Sequence, residues 1–226
     1  TDVLYQMECA GVAIDRQQLE QFGQMLSARI AECENLIFSY SGGAFNINST
    51  KQLGQLLFET LGLPPVKKTK TGYSTNAEVL EKLKGKHPII PAIMDYRMLT
   101  KLNSTYAEGL MKVIDSDGRI RTTFQNLVTA TGRLSSTDPN LQNIPVRSDL
   151  GAEIRKMFVA KPGYVLVDAD YSQIELRVLA HIADDHQMQD AFISGMDIHT
   201  VTASQVFHVA PDAVTALQRR HAKAVN

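Results

Sequence analysis

Two aspartates lie close together in the last third of the chain, with a spacing that could serve a divalent metal ion. The run from Tyr164 to Ala169 is apolar and rich in valine, which predicts a buried strand. Because side chains alternate along a strand, Asp168 and Asp170 would share one face. Burying two acids there is costly unless a cation meets them. We therefore consider Asp170 a candidate metal-binding carboxylate.

A helix is predicted to begin just after Asp170, because apolar residues then recur at three and four positions. Ser172 is a suitable N-cap, and Glu175 follows three residues later, as in a capping box. An aspartate in a solvated turn before a capped helix is the simpler explanation of these residues alone.

The last nine residues, from Gln218 to Asn226, combine three cations in a helical pattern. Arg219 and Lys223 are four residues apart, and Arg220 and Lys223 are three apart, so the three side chains would lie on one side of the helix. Such like charges repel, and a bound polyanion would remove that penalty. The pattern indicates a phosphate-binding face.

Composition limits the class of protein but not its chemistry. The chain has 226 residues, of which 44% are hydrophobic and 21% charged, with a net charge of −1. Any affinity for nucleic acid must therefore come from local patches. Cys9 and Cys33 form no disulfide or zinc pattern, and no apolar run approaches the roughly 20 residues of a membrane span. We expect a soluble, intracellular protein.

The first half of the chain is predicted to be helical, with one basic loop. Apolar spacing indicates helices over residues 17–40, 76–84 and 89–111, and a shorter one after residue 50, for which Asn48 or Ser49 would be the N-cap. The loop from Lys67 to Thr75 is rich in lysine, glycine and hydroxyl groups. It is either a solvated flexible loop or a grip on a phosphate backbone.

A strand and an irregular polar segment follow. Residues 119–124 alternate as a half-buried strand should, and residues 128–145 are rich in amides and punctuated by proline. Arg133, Gln142 and Asn143 carry donors that could contact the N3 and O2 acceptors which all base pairs present in the minor groove. Asn140 and Asn143 could equally form Asx turns beside the prolines.

Four segments resemble motifs of the bacterial DNA polymerase I family, the family A polymerases. Asp-Tyr-Ser-Gln-Ile-Glu-Leu-Arg at 170–177 is similar to motif A, and residues 128–145 match a second signature. Asp-Ile-His-Thr at 197–200 and the basic helix at 218–226 resemble nucleotide-binding segments, the latter the first half of motif B. Leu127 departs from the family, where a polar residue is expected. The resemblance covers essentially the whole chain.

The resemblance implies an α+β fold with three regions. A helical thumb would occupy residues 1–113, part of an antiparallel palm residues 114–173, and part of the fingers residues 174–226. It implies template-directed DNA synthesis from dNTPs by a two-metal mechanism, with primer–template DNA and dNTP as partners and two Mg²⁺ ions in the complete enzyme.

The resemblance also assigns roles to individual residues. Asp170 would be the catalytic carboxylate that bridges both ions, and the backbone carbonyl of Tyr171 a further metal ligand. Glu175 would exclude a 2′-hydroxyl, and the nucleotide would be held by Gln173, Glu175, His199, Arg219, Arg220 and Lys223. A lone histidine such as His199 is more often structural, and the motif around it favours the functional role. The DNA would be held by Asn48, Ser49, Lys51, Lys68, Thr69, Lys70, Lys101, Ser104, Tyr106, Arg133, Asn140, Gln142 and Asn143.

The family's second metal carboxylate lies in a His-Asp-Glu motif that this sequence does not contain. We therefore expect a fragment that is inactive or nearly so by itself. The resemblance also implies a monomer in the bacterial cytosol or nucleoid. The alternative function is a non-catalytic module that binds primer–template DNA. Asp170 and Glu175 argue against that alternative, because acids repel a phosphate backbone. A single-subunit RNA polymerase is disfavoured by the presence of Glu175.

Overall fold

The computed structural model describes residues 1–69, 72–146 and 148–224, which form two compact units, Thr1–Leu166 and Val167–Asn226. Helices alternate with small antiparallel sheets, so the predicted α+β class is confirmed. Whether the chain divides into the three regions named above stays a prediction. No helix in the described ranges is long and apolar enough to cross a membrane.

The first unit is mainly helical, and the ranges predicted from apolar spacing are confirmed. Its helices are α1 (Asp2–Ala10), α2 (Arg16–Ser41), α3 (Thr50–Gln55), α4 (Ala77–Leu83), α5 (Ile89–Leu102), α6 (Glu108–Met111) and α7 (Asp149–Lys156). Its strands are β1 (Val12–Ile14), β2 (Lys68–Thr69), β3 (Gly72–Tyr73), β4 (Arg119–Ile120), β5 (Thr123–Gln125), β6 (Ser135–Thr137) and β7 (Phe158–Val159).

Helix α2 has clear signals at both ends. The Asp15 carboxylate accepts hydrogen bonds from the backbone N–H of Gln18 at 2.9 Å and from its side-chain amide at 2.9 Å. Gly42 ends the helix with a φ of 76°, a left-handed conformation that favours glycine. Between them a stripe at helical spacing is buried.

Two of the predicted helices contain a π-helical turn that the sequence pattern did not show. Leu56–Thr60 extends α3, and Asn103–Ala107 joins α5 to α6. A π turn inserts one residue into the helical repeat and rotates the following side chains. The apolar residues nevertheless recur three or four positions apart in the sequence on both sides of the turn. For this reason residues 89–111 look like one continuous helix in the sequence.

Two clusters of buried side chains form the core of the first unit, and α2 and α5 contribute to both. Ile37 of α2 and Ile93 of α5 belong to the first cluster with α3 and α4. Leu26 of α2 and Leu99 of α5 belong to the second, which also includes Ile154 of α7.

The largest sheet packs beside the second cluster and has the order β4-β1-β7, antiparallel throughout. The predicted strand 119–124 is instead two short strands that belong to different sheets, β4 with β1 and β5 with β6. The break has a physical cause. Thr122 turns its hydroxyl inward, where it lies 2.6 Å from the Ser136 hydroxyl, and Arg121 pairs with Asp115 and Asp117.

The second unit consists of α8 (Ile174–Ile182), α9 (His186–Ile193), α10 (Ile198–Phe207), a 3-10 turn (Pro211–Ala213) and α11 (Ala216–Ala222). Side chains cap three of its helices: Asp185 caps α9, Asp197 caps α10, and Thr215 forms a capping box with Gln218 on α11.

The prediction of a buried strand at Tyr164–Ala169 is wrong. These residues form no strand, and Val165 and Val167 are 80% and 83% exposed. An apolar β-branched run becomes a strand only where a neighbouring strand satisfies its backbone groups and a layer covers its side chains. Within the described ranges no strand pairs with this run.

The predicted capping box at Ser172 is also absent. Helix α8 begins at Ile174, and its N-cap is Gln173, which has a left-handed backbone with a φ of 54°. That conformation takes Ser172 out of the capping position. Its carbonyl instead accepts a hydrogen bond from Nε of Arg177 at 2.9 Å.

Leu99 and its neighbour Met98 give a matched test of the α2–α5 packing. Leu99 is 1% exposed and Met98 is 44% exposed on the same helix. We expect Leu99→Ala to lower the free energy of unfolding by about 2–5 kcal/mol, because it leaves a cavity in the second cluster. Met98→Ala should change it by less than about 0.5 kcal/mol. Urea denaturation followed by circular dichroism measures both, and equal losses would contradict the assigned packing.

Candidate nucleotide and nucleic-acid site

The candidate metal carboxylate, Asp170, lies in an exposed irregular segment before α8. Tyr171 beside it is also exposed. In the described ranges no group of three or more His, Cys, Asp or Glu residues is placed to hold a metal ion. Metal binding by Asp170 and the Tyr171 carbonyl therefore stays a prediction.

Arg219, the first cation of the predicted phosphate-binding helix, forms a bidentate ion pair with Asp197. Its Nε lies 2.6 Å from Oδ2 and its Nη2 lies 3.0 Å from Oδ1. The hydrogen bond from Arg219 holds the pKa of Asp197 well below its usual range, although partial burial opposes this. The same hydrogen bond raises the pKa of Arg219. Both groups are charged at neutral pH.

Asp197 also connects Arg219 to the segment that follows Asp170. The side-chain amide of Gln173 donates to Oδ1 of Asp197 at 3.3 Å. Oδ2 of Asp197 accepts from the backbone N–H of Thr200 at 3.1 Å and from its hydroxyl at 2.7 Å. One carboxylate thus joins the turn before α8, the start of α10 and the side chain of Arg219 on α11. The sequence analysis did not single out Asp197, although its position as the residue before a helix indicates a cap.

The other predicted nucleotide-binding residues occupy different environments. Arg220 and Lys223 are exposed at α11, and Glu175 is exposed in the first turn of α8. His199 is only 8% exposed within the first turn of α10. Contact of these residues with a nucleotide stays a prediction.

In the first unit, a cleft of about 800 Å³ lies beside the N-terminus of α3 and includes Lys51 and Asn48. Ser49 caps α3 by accepting from the backbone N–H of Gln52 at 3.4 Å, as predicted. The amide of Asn48 donates to the Tyr96 hydroxyl at 3.3 Å.

Arg97 lines the same cleft, and the sequence analysis missed it. Its guanidinium donates to the carbonyl and the hydroxyl of Thr75, and burial lowers its pKa. Arg97 precedes Lys101 by four residues on α5, so the two share a helix face. That spacing is the signal that could have found it.

The basic loop is described in part. Lys68 and Thr69 form β2, which pairs with β3 in the register Lys68↔Tyr73 and Thr69↔Gly72. Tyr73 packs on Phe58, with ring centroids 4.8 Å apart, so the hairpin is fixed to the first core cluster. Lys70 lies outside the described residues.

Buried hydroxyl groups hold the amide-rich segment in place. The Ser136 hydroxyl accepts from the backbone N–H of Leu141 at 3.0 Å, and the Thr122 hydroxyl lies 2.8 Å from the Pro139 carbonyl. Asn140 forms an Asx turn with the N–H of Gln142 at 3.0 Å, which agrees with the structural alternative for this residue.

Tyr106, one of the predicted DNA-binding residues, has a structural contact with the amide-rich segment. It is buried, and its hydroxyl donates to the backbone carbonyl of Asn143. The side chain of Gln142 donates to the carbonyl of Leu134 at 3.1 Å. Arg133, Gln142 and Asn143 are exposed, and so are Lys101 and Ser104, which precede Tyr106 in the chain. Direct contacts with DNA stay predictions.

Gly151 of α7 allows close packing against the end of this segment. A Cβ at this position would lie 2.6 Å from Cβ and 2.7 Å from the carbonyl oxygen of Pro145. The helix and the amide-rich segment are therefore held together by a contact that tolerates no side chain.

Comparison with known proteins agrees with this arrangement. The family described as DNA polymerase family A matches residues 16–226. The chain is 55% identical to DNA polymerase I of Bacillus subtilis over 99% of its length, which is 26% of that protein. It is 54% identical to DNA polymerase I of Geobacillus stearothermophilus, again over 99% of this chain and 26% of the relative. The chain thus spans about a quarter of the length of these relatives.

A solved structure is similar over nearly the whole chain. It is described as the POL domain of Pol1 from M. smegmatis in complex with DNA primer-template and dNTP. The TM-score is 0.82 and the identity 44%, and the match covers 98% of this chain and 40% of the other. The predicted resemblance is confirmed, and the chain belongs to DNA polymerase family A.

Proposed function

We propose that this chain is part of an enzyme that performs template-directed DNA synthesis, by nucleotidyl transfer from a dNTP to a primer 3′-hydroxyl. The observation that carries the proposal is the network of Gln173, Asp197 and Arg219. It joins the turn after an exposed acid, Asp170, to a cation on a basic helix. Nucleotidyl transfer needs both kinds of group, one for a divalent metal and one for the phosphates.

The relatives support this assignment. They carry the name DNA polymerase I, and the similar M. smegmatis structure contains primer-template DNA and dNTP. We infer that this chain acts on the same classes of partner. A monomeric state and a cytosolic location remain expectations from the sequence.

The residues present suit Mg²⁺, the cofactor expected for this family. Asp170 and the carbonyl of Tyr171 offer hard oxygen ligands in an exposed segment, and Mg²⁺ retains several waters when few protein groups bind it. When bound, the metal would lower the pKa of the attacking hydroxyl and neutralise the leaving pyrophosphate. Asp170 and Tyr171 are the residues we expect to hold it.

The basic helix would bind the triphosphate. Arg219, Arg220 and Lys223 are exposed there, and a guanidinium suits phosphate because it offers several N–H donors in one plane. Gln173 and His199 lie on the elements that Asp197 joins to Arg219, and we assign them to the same nucleotide site. Glu175, in the first turn of α8, would exclude a ribonucleotide.

The first unit would hold the duplex. Asn48, Ser49 and Lys51 at the N-terminus of α3, with Arg97 in the same cleft, suit phosphate oxygens. Lys68, Thr69, Lys70, Lys101, Ser104 and Tyr106 remain candidate DNA contacts, as the family resemblance implies. Arg133, Asn140, Gln142 and Asn143 would contact the minor groove, where the shared acceptors allow a check of base-pair geometry without choice of sequence.

The 226-residue chain alone is expected to be inactive or nearly so. One carboxylate holds two metal ions poorly, and the family's second carboxylate motif does not occur in this sequence. A primer-extension assay with all four dNTPs and Mg²⁺ should show no template-dependent product. Template-dependent extension by the purified chain, lost in Asp170→Asn, would refute this expectation.

Asp170→Asn tests the proposed metal and nucleotide site through binding. We expect a fluorescent primer–template to bind the chain more tightly when the matching dNTP and Mg²⁺ are added, and this gain to disappear in Asp170→Asn. Asp190→Asn removes the same charge from α9 and should keep the gain. Fluorescence anisotropy measures each affinity. If the unmodified chain binds the duplex with the same affinity with and without dNTP, the alternative of a non-catalytic DNA-binding module is favoured.

Lys51→Ala tests the duplex contact at α3. If Lys51 binds a phosphate, its loss should weaken duplex binding and reduce the slope of log K against log salt by about 1. Lys82→Ala is the matched control, because Lys82 is exposed in the same unit but pairs with Glu78 at 2.9 Å. Equal slopes for both variants would show that Lys51 is not a phosphate contact.

A further inference from the structure

Asp197 accepts more hydrogen bonds than its role as a helix cap requires. Its two oxygens receive Nε and Nη2 of Arg219, the amide of Gln173, and both the N–H and the hydroxyl of Thr200. Asp185 caps α9 in the same way, and its carboxylate accepts the N–H of Met188 at 3.0 Å. Capping alone therefore leaves the contacts of Asp197 with Arg219 and Gln173 unexplained.

The pair is arranged so that Arg219 keeps donors for another anion. A guanidinium has five N–H donors, and Asp197 uses one on Nε and one on Nη2. Both N–H groups of Nη1 and one of Nη2 have no hydrogen-bond partner among the described residues, and the side chain is 47% exposed. The carboxylate thus fixes the plane of the guanidinium without using all of its donors.

The side-chain amide of Gln173 has one orientation that suits the Asp197 carboxylate. Its Nε2 donates to Asp197, while its Oε1 is buried and accepts no hydrogen bond from the described residues. A buried acceptor without a donor costs free energy. Rotating the amide would place Oε1 against the Asp197 carboxylate, and the two would repel. The amide orientation is therefore dictated by Asp197.

We propose that Asp197 is a positioning residue for the incoming nucleotide: it fixes the guanidinium of Arg219 for the triphosphate and ties it to the turn that follows Asp170. The inference rests on the proposed function and adds a residue to it. Asp197 itself need not touch the nucleotide. Two opposing effects are expected when its charge is removed. Loss of a nearby negative charge strengthens the attraction of a triphosphate, and loss of orientation weakens its binding.

Orientation should dominate, because the pair is bidentate and charge-assisted, whereas the Asp197 charge is already compensated by Arg219. Hydrogen bonds to charged groups are stronger than neutral ones. Breaking the two bonds between Arg219 and Asp197 should therefore weaken dNTP binding about tenfold. The effect must pass through Arg219. This requirement separates positioning from a general structural role, because the latter would act whether or not Arg219 is present.

A double-mutant cycle in the 226-residue chain tests the proposal. The Kd of the matching dNTP is measured with bound primer–template and Mg²⁺ for the unmodified chain, Asp197→Asn, Arg219→Ala and the double variant. Asparagine caps helices about as well as aspartate, so α10 should keep its start. We expect Asp197→Asn to raise the Kd about tenfold alone and by less than about twofold in the Arg219→Ala background.

Two further variants separate the pairing with Arg219 from loss of a helix cap and from loss of charge. Asp185→Asn makes the same change at the cap of α9, where the carboxylate has no arginine partner in the part of the chain that the structure describes, and should leave the Kd within about twofold. Arg219→Lys keeps the charge but lacks the planar fork, and should raise the Kd about as much as Asp197→Asn. A second readout, the thermal unfolding midpoint, should change equally in Asp197→Asn and Asp185→Asn if both only alter a cap.

The outcomes separate this inference from the proposed function. If Arg219→Ala abolishes dNTP binding while Asp197→Asn binds as the unmodified chain does, the function stands and the positioning role fails. Tighter binding by Asp197→Asn would make Asp197 a competitor of the nucleotide and overturn the inference. An equal effect with and without Arg219 would also overturn it. If the unmodified chain binds no dNTP, the proposed nucleotide site is refuted for this chain, and the positioning role of Asp197 fails with it.

Discussion

The packing of α2 against α5 is the interaction on which the first unit depends. Both helices contribute buried side chains to both core clusters, so they set the separation between the two ends of the unit. The cleft with Lys51 and the β2–β3 hairpin are attached at one cluster, and the amide-rich segment is attached at the other through Leu141 and Ile144. The two surfaces proposed to hold DNA are thus spaced by one pair of helices. Apolar burial supplies the stability, and the polar groups remain available for the proposed DNA contacts.

In the second unit, helices are joined through a polar group, the carboxylate of Asp197. Three of its helices begin with a side-chain cap, and one of those caps, Asp197, also pairs with a cation from another helix. Ion pairs exposed to solvent add little stability. A bidentate pair that fixes a guanidinium serves geometry more than stability, which is what a phosphate-binding site requires. The consequence is that the same residue that starts α10 also sets the direction of Arg219.

Much of this could be predicted from the sequence, and the failures have physical causes. Helices such as α2 and α5 follow from apolar periodicity, and the family follows from the motif at Asp170. The run at Tyr164–Ala169 was wrongly assigned as a strand, because strand formation depends on a partner that local sequence does not report. The π turn at Asn103–Ala107 preserves apolar spacing and is therefore invisible to it. The contacts of Tyr106 with Asn143, and of Asp197 with Arg219, join residues distant in sequence, and single-sequence patterns carry no signal for such pairs.

The most direct test of the central claim is an experimental structure of the chain with primer–template, Mg²⁺ and a non-hydrolysable dNTP analogue. The account predicts that the triphosphate contacts Nη1 of Arg219, that the divalent ion contacts the Asp170 carboxylate, and that Asp197 keeps both hydrogen bonds to Arg219. A triphosphate bound away from Arg219 would contradict the proposed nucleotide site. A triphosphate that displaces Asp197 from Arg219 would leave the site in place and contradict the positioning role.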